Sequence, residues 1–257
     1  LQQEKARYYH SFTDDFVASQ QQNYTLATDY SWEPQGKLFY FTAFIVTFLT
    51  KVFSWFYRYC WARPTIVNGQ LLHDYPAGCF LYGNHTQPQG DVFIPFSLLR
   101  HKPLNFLVSP ANLGIPLLGH WLPYGGALPI PNTLHQLGRF QAAVYQRIAA
   151  KQCVVVYPEA HVWPYYTQIR PLPLAAFHYP IGTQAASFCM TTTYQKRRWR
   201  KRPHITLYLD GPFYPQAGLP AKQQQIQLRD EIAACMQKRS RASNVAYIQY
   251  KPYEVAK

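Results

Sequence analysis

From residue 62 onward, short apolar runs alternate with segments of helical length, and this alternation restricts the chain to a layered α/β architecture. The runs at 65–68, 79–82, 105–108, 153–157, 187–192 and 204–209 predict strands. Helices are predicted over 91–100, 133–150 and 222–239, and the last carries Leu228, Ile232, Cys235 and Met236 on one face, as a helix packed on a sheet does. The expected fold is a mixed, mostly parallel sheet flanked by helices. No repeat or linker divides this region, so 64–257 is expected to form one α/β domain, and a chain of 257 residues is long enough to bury its core.

Two segments precede it. Residues 1–36 are polar and Gln-rich and show no secretory pattern. The sequence begins at Leu1 rather than at a methionine, so an upstream start is expected. Residues 37–63 hold the long apolar stretch 38–61, interrupted by Lys51 and closed by Arg58 and Arg63. It is just long enough to span a bilayer, but a lysine inside the run is costly at the bilayer centre. A helix lying in the interface is therefore the favoured reading, against a buried core helix. If it spans, Lys51, Arg58 and Arg63 after it, against Asp29 and Glu33 before it, place the rest of the chain and its active site on the cytoplasmic side. An aromatic content of 17% suits a membrane interface. The net charge of +13 asks for an anionic partner: nucleic acid, an anionic membrane or a phosphorylated substrate. The 5 cysteines are scattered without a C-x-x-C pair and read as free thiols; with no H-E-x-x-H among the histidines, no metal is expected.

Carboxylates are scarce. Of the 12 acidic residues only Asp91, Glu159 and Asp210 lie between Tyr75 and Arg229, and Asp210-Gly211 reads as a turn. The other two follow predicted strands. The run 79–82 ends at Gly83 and opens into Asn84-His85-Thr86-Gln87-Pro88-Gln89-Gly90-Asp91, at the sheet edge where open α/β folds place their ligands. Pro88 and Gly90 stop a helix from running through the loop, and Asp91 is expected at the N-cap of the next one, folded back toward His85. A histidine held by a carboxylate is fixed in tautomer and made more basic, leaving its other nitrogen to take a proton from a hydroxyl. No G-x-S-x-G is present, so that hydroxyl belongs to a bound acceptor. The bland alternatives are that His85 and Asp91 cap a turn and a helix, and that Glu159 forms a salt bridge.

Asn84-His85 with Asp91, then Gly125-Gly126-Ala127-Leu128-Pro129-Ile130-Pro131, Tyr157-Pro158-Glu159-Ala160 and Ala175-Ala176-Phe177-His178 follow one another in the order and spacing of a known motif set. In these segments the chain resembles the glycerolipid (lysophospholipid) acyltransferase superfamily, the group that includes 1-acylglycerol-3-phosphate acyltransferase. The resemblance covers roughly residues 64–214. It implies transfer of a fatty acyl group from an acyl thioester, on coenzyme A or acyl carrier protein, to a hydroxyl of a glycerolipid or lysophospholipid. His85 is then the general base, Asp91 its orienting partner, and Asn84 and Glu159 lie at the substrate. Three departures stand out. Five residues rather than four separate His85 from Asp91, which asks for a bulge at Gly90. Pro131 and Asn132 stand where the second motif ends in arginine, and His161 where arginine follows F-P-E-G. Arg170 or Arg139 is the expected replacement for these cations. Trp163, with Tyr165 and Tyr166, lines an acyl or head-group pocket or else forms an aromatic core.

The expected partners are membrane lipids and an acyl donor, with no cofactor beyond the thioester co-substrate and no nucleic acid. Two rivals belong to other classes. One is a nucleic-acid binder using the basic run 196–202, which equally suits lipid head groups or coenzyme A phosphates; the other is a non-catalytic membrane-anchored scaffold.

Overall fold

A computed structural model describes residues 5–17, 24–99 and 101–253. Arg100, the expected end of the helix after the His85 loop, lies outside the described residues. In chain order the elements are β1 (Lys5–Tyr9), α1 (Lys37–Phe56), β2 (Thr65–Val67), α2 (Gln70–His73), β3 (Cys79–Gly83), α3 (Gly90–Leu98) and β4 (Leu104–Val108). They continue with β5 (Ala127–Pro129), α4 (Leu134–Ala149), β6 (Cys153–Val156), α5 (His178–Thr183), β7 (Ala186–Gln195), β8 (His204–Phe213), α6 (Ala221–Ser240) and β9 (Ile248–Pro252). A π-helical turn, Tyr57–Trp61, prolongs α1.

Seven strands form one sheet in the order β2-β8-β7-β3-β6-β4-β5, parallel throughout except between β7 and β8. This is the mixed, mostly parallel sheet expected from the apolar runs. The central strands β3 and β6 form nearly continuous apolar runs because both faces are covered. Period-two alternation then divides their side chains. Phe80, Tyr82, Val154 and Val156 pack against Phe140 and Val144 of α4 and Leu228, Ile232 and Met236 of α6. Cys79, Leu81, Cys153 and Val155 face the opposite layer, where Leu72 of α2 and Ile94 and Leu98 of α3 cover them. The short strand β5, whose Pro129 sits at the sheet edge where a missing N–H costs nothing, and the separate parallel pair β1–β9 carry too little pattern to read from sequence.

The polar N-terminal segment, where described, lies on the domain. Leu26 and Trp32 are buried in the α4/α6 layer, and Trp32 Nε1 donates to Pro129 O at 2.8 Å.

Parallel β3, β4, β5, β6 and β7 all end at one edge of the sheet, and α1 packs across α3 from the turn before β5 to the loop that follows β3. Near its start Phe39 stacks on Tyr124 at 4.9 Å. At its end Tyr57 meets Phe93 at 5.8 Å and donates to Gln87 Oε1 at 3.0 Å, while Arg58 donates to Ser97 O at 2.8 Å. These contacts are nearly the full length of the helix apart, about 28 Å at 1.5 Å per residue. The helix with its π-turn is long and apolar enough to cross a membrane, yet only Ser54 of α1 is fully buried. Its outer face, including Phe41, Phe44, Phe48 and Phe53, is open. The helix is thus docked on the domain at both ends.

Candidate active site

The site is built where β3 stops. Gly83 closes that strand against the ring of Tyr157, and a Cβ there would stand 2.5 Å from Tyr157 Cε1, so no larger residue fits. Beyond it Asn84 replaces the next rung of the β3–β7 ladder with its own amide. Its Nδ2 donates to Thr192 O at 3.0 Å, and Thr192 N donates to its Oδ1 at 2.7 Å. Asn84 is buried and committed to β7 rather than turned to a substrate.

The polypeptide then turns away from the sheet, and His85 is held by four groups. Its N–H donates to Glu159 Oε2 at 3.1 Å and its carbonyl accepts from Trp163 N at 3.0 Å. The ring stacks on Tyr157 with centroids 4.6 Å apart and planes at 16°. Nδ1 lies 2.7 Å from Asp91 Oδ2. With Asp91 ionised, Nδ1 carries the proton and Nε2 is left with its lone pair. The imidazole is 20% exposed, whereas the Asp91 side chain is 2% exposed, so the dyad has a dry acid and an accessible base. Burial pushes the Asp91 carboxyl above the ordinary value of 3.8, and its bond to His85 opposes that rise.

Asp91 stands two residues inside the cap position. The helix starts at Gly90 with Gln89 before it, which puts Asp91 in the first turn. There its Oδ2 also accepts from Gln87 N at 3.0 Å, and the positive end of the helix favours a carboxylate. The fifth spacer residue is taken up by the turn at 88–89. Gly90 is helical rather than bulged. Its need for glycine is one of space, since a Cβ would stand 2.2 Å from Gln87 Oε1 and 2.8 Å from the Tyr57 hydroxyl.

Glu159 follows β6 and is 5% exposed. Its carboxylate accepts from Arg170 N at 3.1 Å, Arg170 Nε at 3.2 Å and Arg170 Nη2 at 2.9 Å, besides the His85 N–H. Arg170 is 2% exposed and also donates to Phe12 O and His161 O. The salt bridge is thus a clamp on the His85 loop, and Arg170 is spent inside the fold. Ala160, which stands where the motif set has glycine, is forced to φ +63°, the left-handed region.

The remaining expected site residues are not gathered here. Arg139 is on α4, donating to Thr28 O at 2.7 Å with its guanidinium 6.0 Å from the Trp32 ring. His161 faces the N-terminal segment, with Nδ1 3.4 Å from Asp15 Oδ2. Trp163 is fully buried among Tyr9, Phe16, Tyr166 and Tyr250, so it is the aromatic core and not a pocket wall. Conversely, sequence reasoning assigned no role to Tyr157, Gln87 or Tyr57. Tyr157 stacks on His85 and its hydroxyl donates to Asp91 O at 2.5 Å. The one sequence signal for it was its place ahead of Pro158-Glu159.

No protein-family model matches the chain, and no curated protein matches it. Its fold is similar to that of the solved 1-acyl-sn-glycerophosphate (LPA) acyltransferase from Thermotoga maritima, with a TM-score of 0.53 over 79% of this chain and 87% of that one. The two share 11% sequence identity, and the likeness is one of fold.

Two stability measurements test the clamp. Arg170→Ala leaves the Glu159 carboxylate buried and unpaired and is expected to cost about 3–5 kcal/mol in urea unfolding. Ala160→Gly relieves the left-handed strain and is expected to add about 1 kcal/mol in the same assay.

Proposed function

We propose that this protein is an acyltransferase working at a membrane surface, moving a fatty acyl group from an acyl thioester to a hydroxyl of a glycerolipid or lysophospholipid. The observation that carries the reading is the His85 Nδ1–Asp91 Oδ2 contact of 2.7 Å at the carboxyl edge of the sheet, with the imidazole partly open. The similarity of the fold to a lysophosphatidate acyltransferase supports it.

In this reading Nε2 of His85 takes the proton of the acceptor hydroxyl as its oxygen attacks the thioester carbonyl. The C–O bond forms, the tetrahedral oxyanion collapses, the C–S bond breaks, and the imidazolium returns the proton to the departing thiolate. Asp91 holds the tautomer and offsets the positive charge of the imidazolium. Glu159 and Arg170 position the backbone of His85, and Asn84 fixes the start of its loop, so these three act through His85. Tyr157 holds the ring in plane. The chemistry invokes no cofactor or metal; the donor is acyl-CoA or acyl carrier protein.

The docking of α1 on the domain supports an interfacial location. The end of α1 meets the His85 loop through Tyr57 and Gln87, so a helix bound by its open aromatic face would bring that loop toward the depth of lipid hydroxyls, and acceptors could reach the base without leaving the bilayer.

Incubation with labelled acyl-CoA and a panel of lysolipids, followed by mass spectrometry of the lipids, tests the reaction. General-base catalysis is worth about 10² to 10⁴ in rate, so His85→Ala and Asp91→Asn are each expected to lower kcat by at least about a hundredfold. Unchanged turnover in His85→Ala removes the assignment. Asp91→Asn also has a signed pH effect on stability. The raised Asp91 value means that its contribution is complete below the ordinary carboxylate pKa and is lost as pH rises through the folded-state value. The neutral variant is spared that loss and gains on the parent as pH rises.

Association with lipid is checked separately by sedimentation with vesicles. Phe44→Glu with Phe48→Glu, both on the open face of α1, is expected to weaken binding at least about tenfold without moving the unfolding midpoint.

A further inference from the structure

The run Lys196-Arg197-Arg198-Trp199-Arg200-Lys201-Arg202 connects β7 to β8. Because β7 is parallel to β3 and β8 returns antiparallel to it, this turn emerges at the same sheet edge as the His85 loop. There it walls a cavity of about 450 Å³. Arg200, Lys201 and Arg202 line one side, Tyr57 and Trp61 from the end of α1 another, and Gln87, two residues after His85, a third. No acidic side chain among the described residues lines it.

Nothing among the described residues neutralises these cations. Neither Arg200, Lys201 and Arg202 nor Arg197 beside them pairs with a carboxylate among the described residues. Two are steadied by uncharged groups instead. Arg202 lies over the Trp61 ring at 5.9 Å, and an Arg197 Nη2 lies 3.0 Å from His204 Nδ1. Burial, and then Arg197 itself, push His204 down, which keeps that imidazole a neutral acceptor. Like charges converging on one concavity repel unless an anion sits between them, and the planar fork of arginine fits phosphate oxygens with two parallel bonds. Gln87 ties the cavity to the dyad, since its N–H donates to the same Asp91 oxygen that His85 uses and its Oε1 accepts from Tyr57. Arg170 is spent on Glu159 and Arg139 lies on α4, so neither competes for this role.

We propose that this cavity seats a phosphate group carried by a substrate of the reaction at His85, either the phosphate of an anionic lysolipid acceptor or a nucleotide phosphate of the thioester donor. The identity of the substrate rests on the acyltransferase reading; the site itself rests on the cavity and its cations.

The test is equilibrium binding of the whole chain to two probes, coenzyme A and phosphatidylcholine vesicles doped with lysophosphatidate. Vesicles doped with phosphatidylglycerol to equal charge serve as the control. The variants are Arg200→Gln/Lys201→Gln/Arg202→Gln, the single Arg200→Gln, and His85→Ala. Each lost charge-assisted bond is worth roughly tenfold. The triple variant is expected to bind one probe at least about tenfold more weakly at an unchanged unfolding midpoint, and Arg200→Gln to show a smaller loss in the same direction. Loss for coenzyme A assigns the phosphate to the donor; loss for lysophosphatidate beyond that for phosphatidylglycerol assigns it to the acceptor. His85→Ala is expected to bind as the parent does. Parent-like binding of both probes by the triple variant overturns the site. Equal losses on the two kinds of vesicle with coenzyme A unaffected, or displacement of both probes by an oligonucleotide, also overturn it. If instead the site holds but His85→Ala retains full turnover, the catalytic reading fails and the phosphate seat stands.

Discussion

The buried carboxylate of Glu159 is the interaction on which the rest of this edge depends. It follows β6, receives the backbone N–H of His85 after β3, and is neutralised by Arg170, whose own donors reach the backbone at Phe12 and His161. One ion pair therefore fastens two strand ends and the N-terminal segment. Its energetic logic is that of any buried pair: the net gain over an apolar pair is small, but loss of one partner leaves a charge that cannot be solvated. Such a pair is better suited to fixing one geometry than to adding stability, and what it fixes here is the backbone beneath a solvent-accessible imidazole.

A second constraint is spatial. The loop from Gly83 to Asp91 is crowded from both sides, by Tyr157 against Gly83 and by Gln87 and Tyr57 against Gly90. Two glycines without left-handed backbone admit these close approaches, while Ala160 accepts a left-handed conformation without being glycine. Both loops that carry the candidate chemistry are therefore held by close approach or by an unusual backbone conformation.

Much of the fold was legible. The six runs predicted as strands match β2, β3, β4, β6, β7 and β8, and the signal is strongest in β3 and β6, where burial on both faces gives a nearly continuous apolar run. The three flanking helices and the apolar helix were legible for the same reason, burial or exposure of a periodic face. What escaped were elements whose support is long-range: β5 at three residues, and β1 with β9, whose partners are at opposite ends of the chain. In the site, the pairing of His85 with Asp91 was readable, since they are six residues apart across one turn. Arg170 and Arg139, read as replacements for the missing cations, are engaged by the fold itself, and of the two readings of Trp163 its enclosure matches the aromatic core. Composition makes a cation or an aromatic ring look available, and only packing reveals that Arg170 is clamped and Trp163 enclosed.

By itself the sequence determined the layered α/β class, the apolar helix, and a histidine and two scarce acids at strand ends, because periodicity and local spacing are properties of neighbouring residues. The tertiary structure decided that α1 packs on α3 instead of leaving the domain, that Glu159 serves the backbone of His85, and that the basic turn between β7 and β8 faces the edge that carries His85. Each of these depends on which strands adjoin and in which direction they run, and that is fixed by side chains far apart in the chain packing on the two faces of a single sheet.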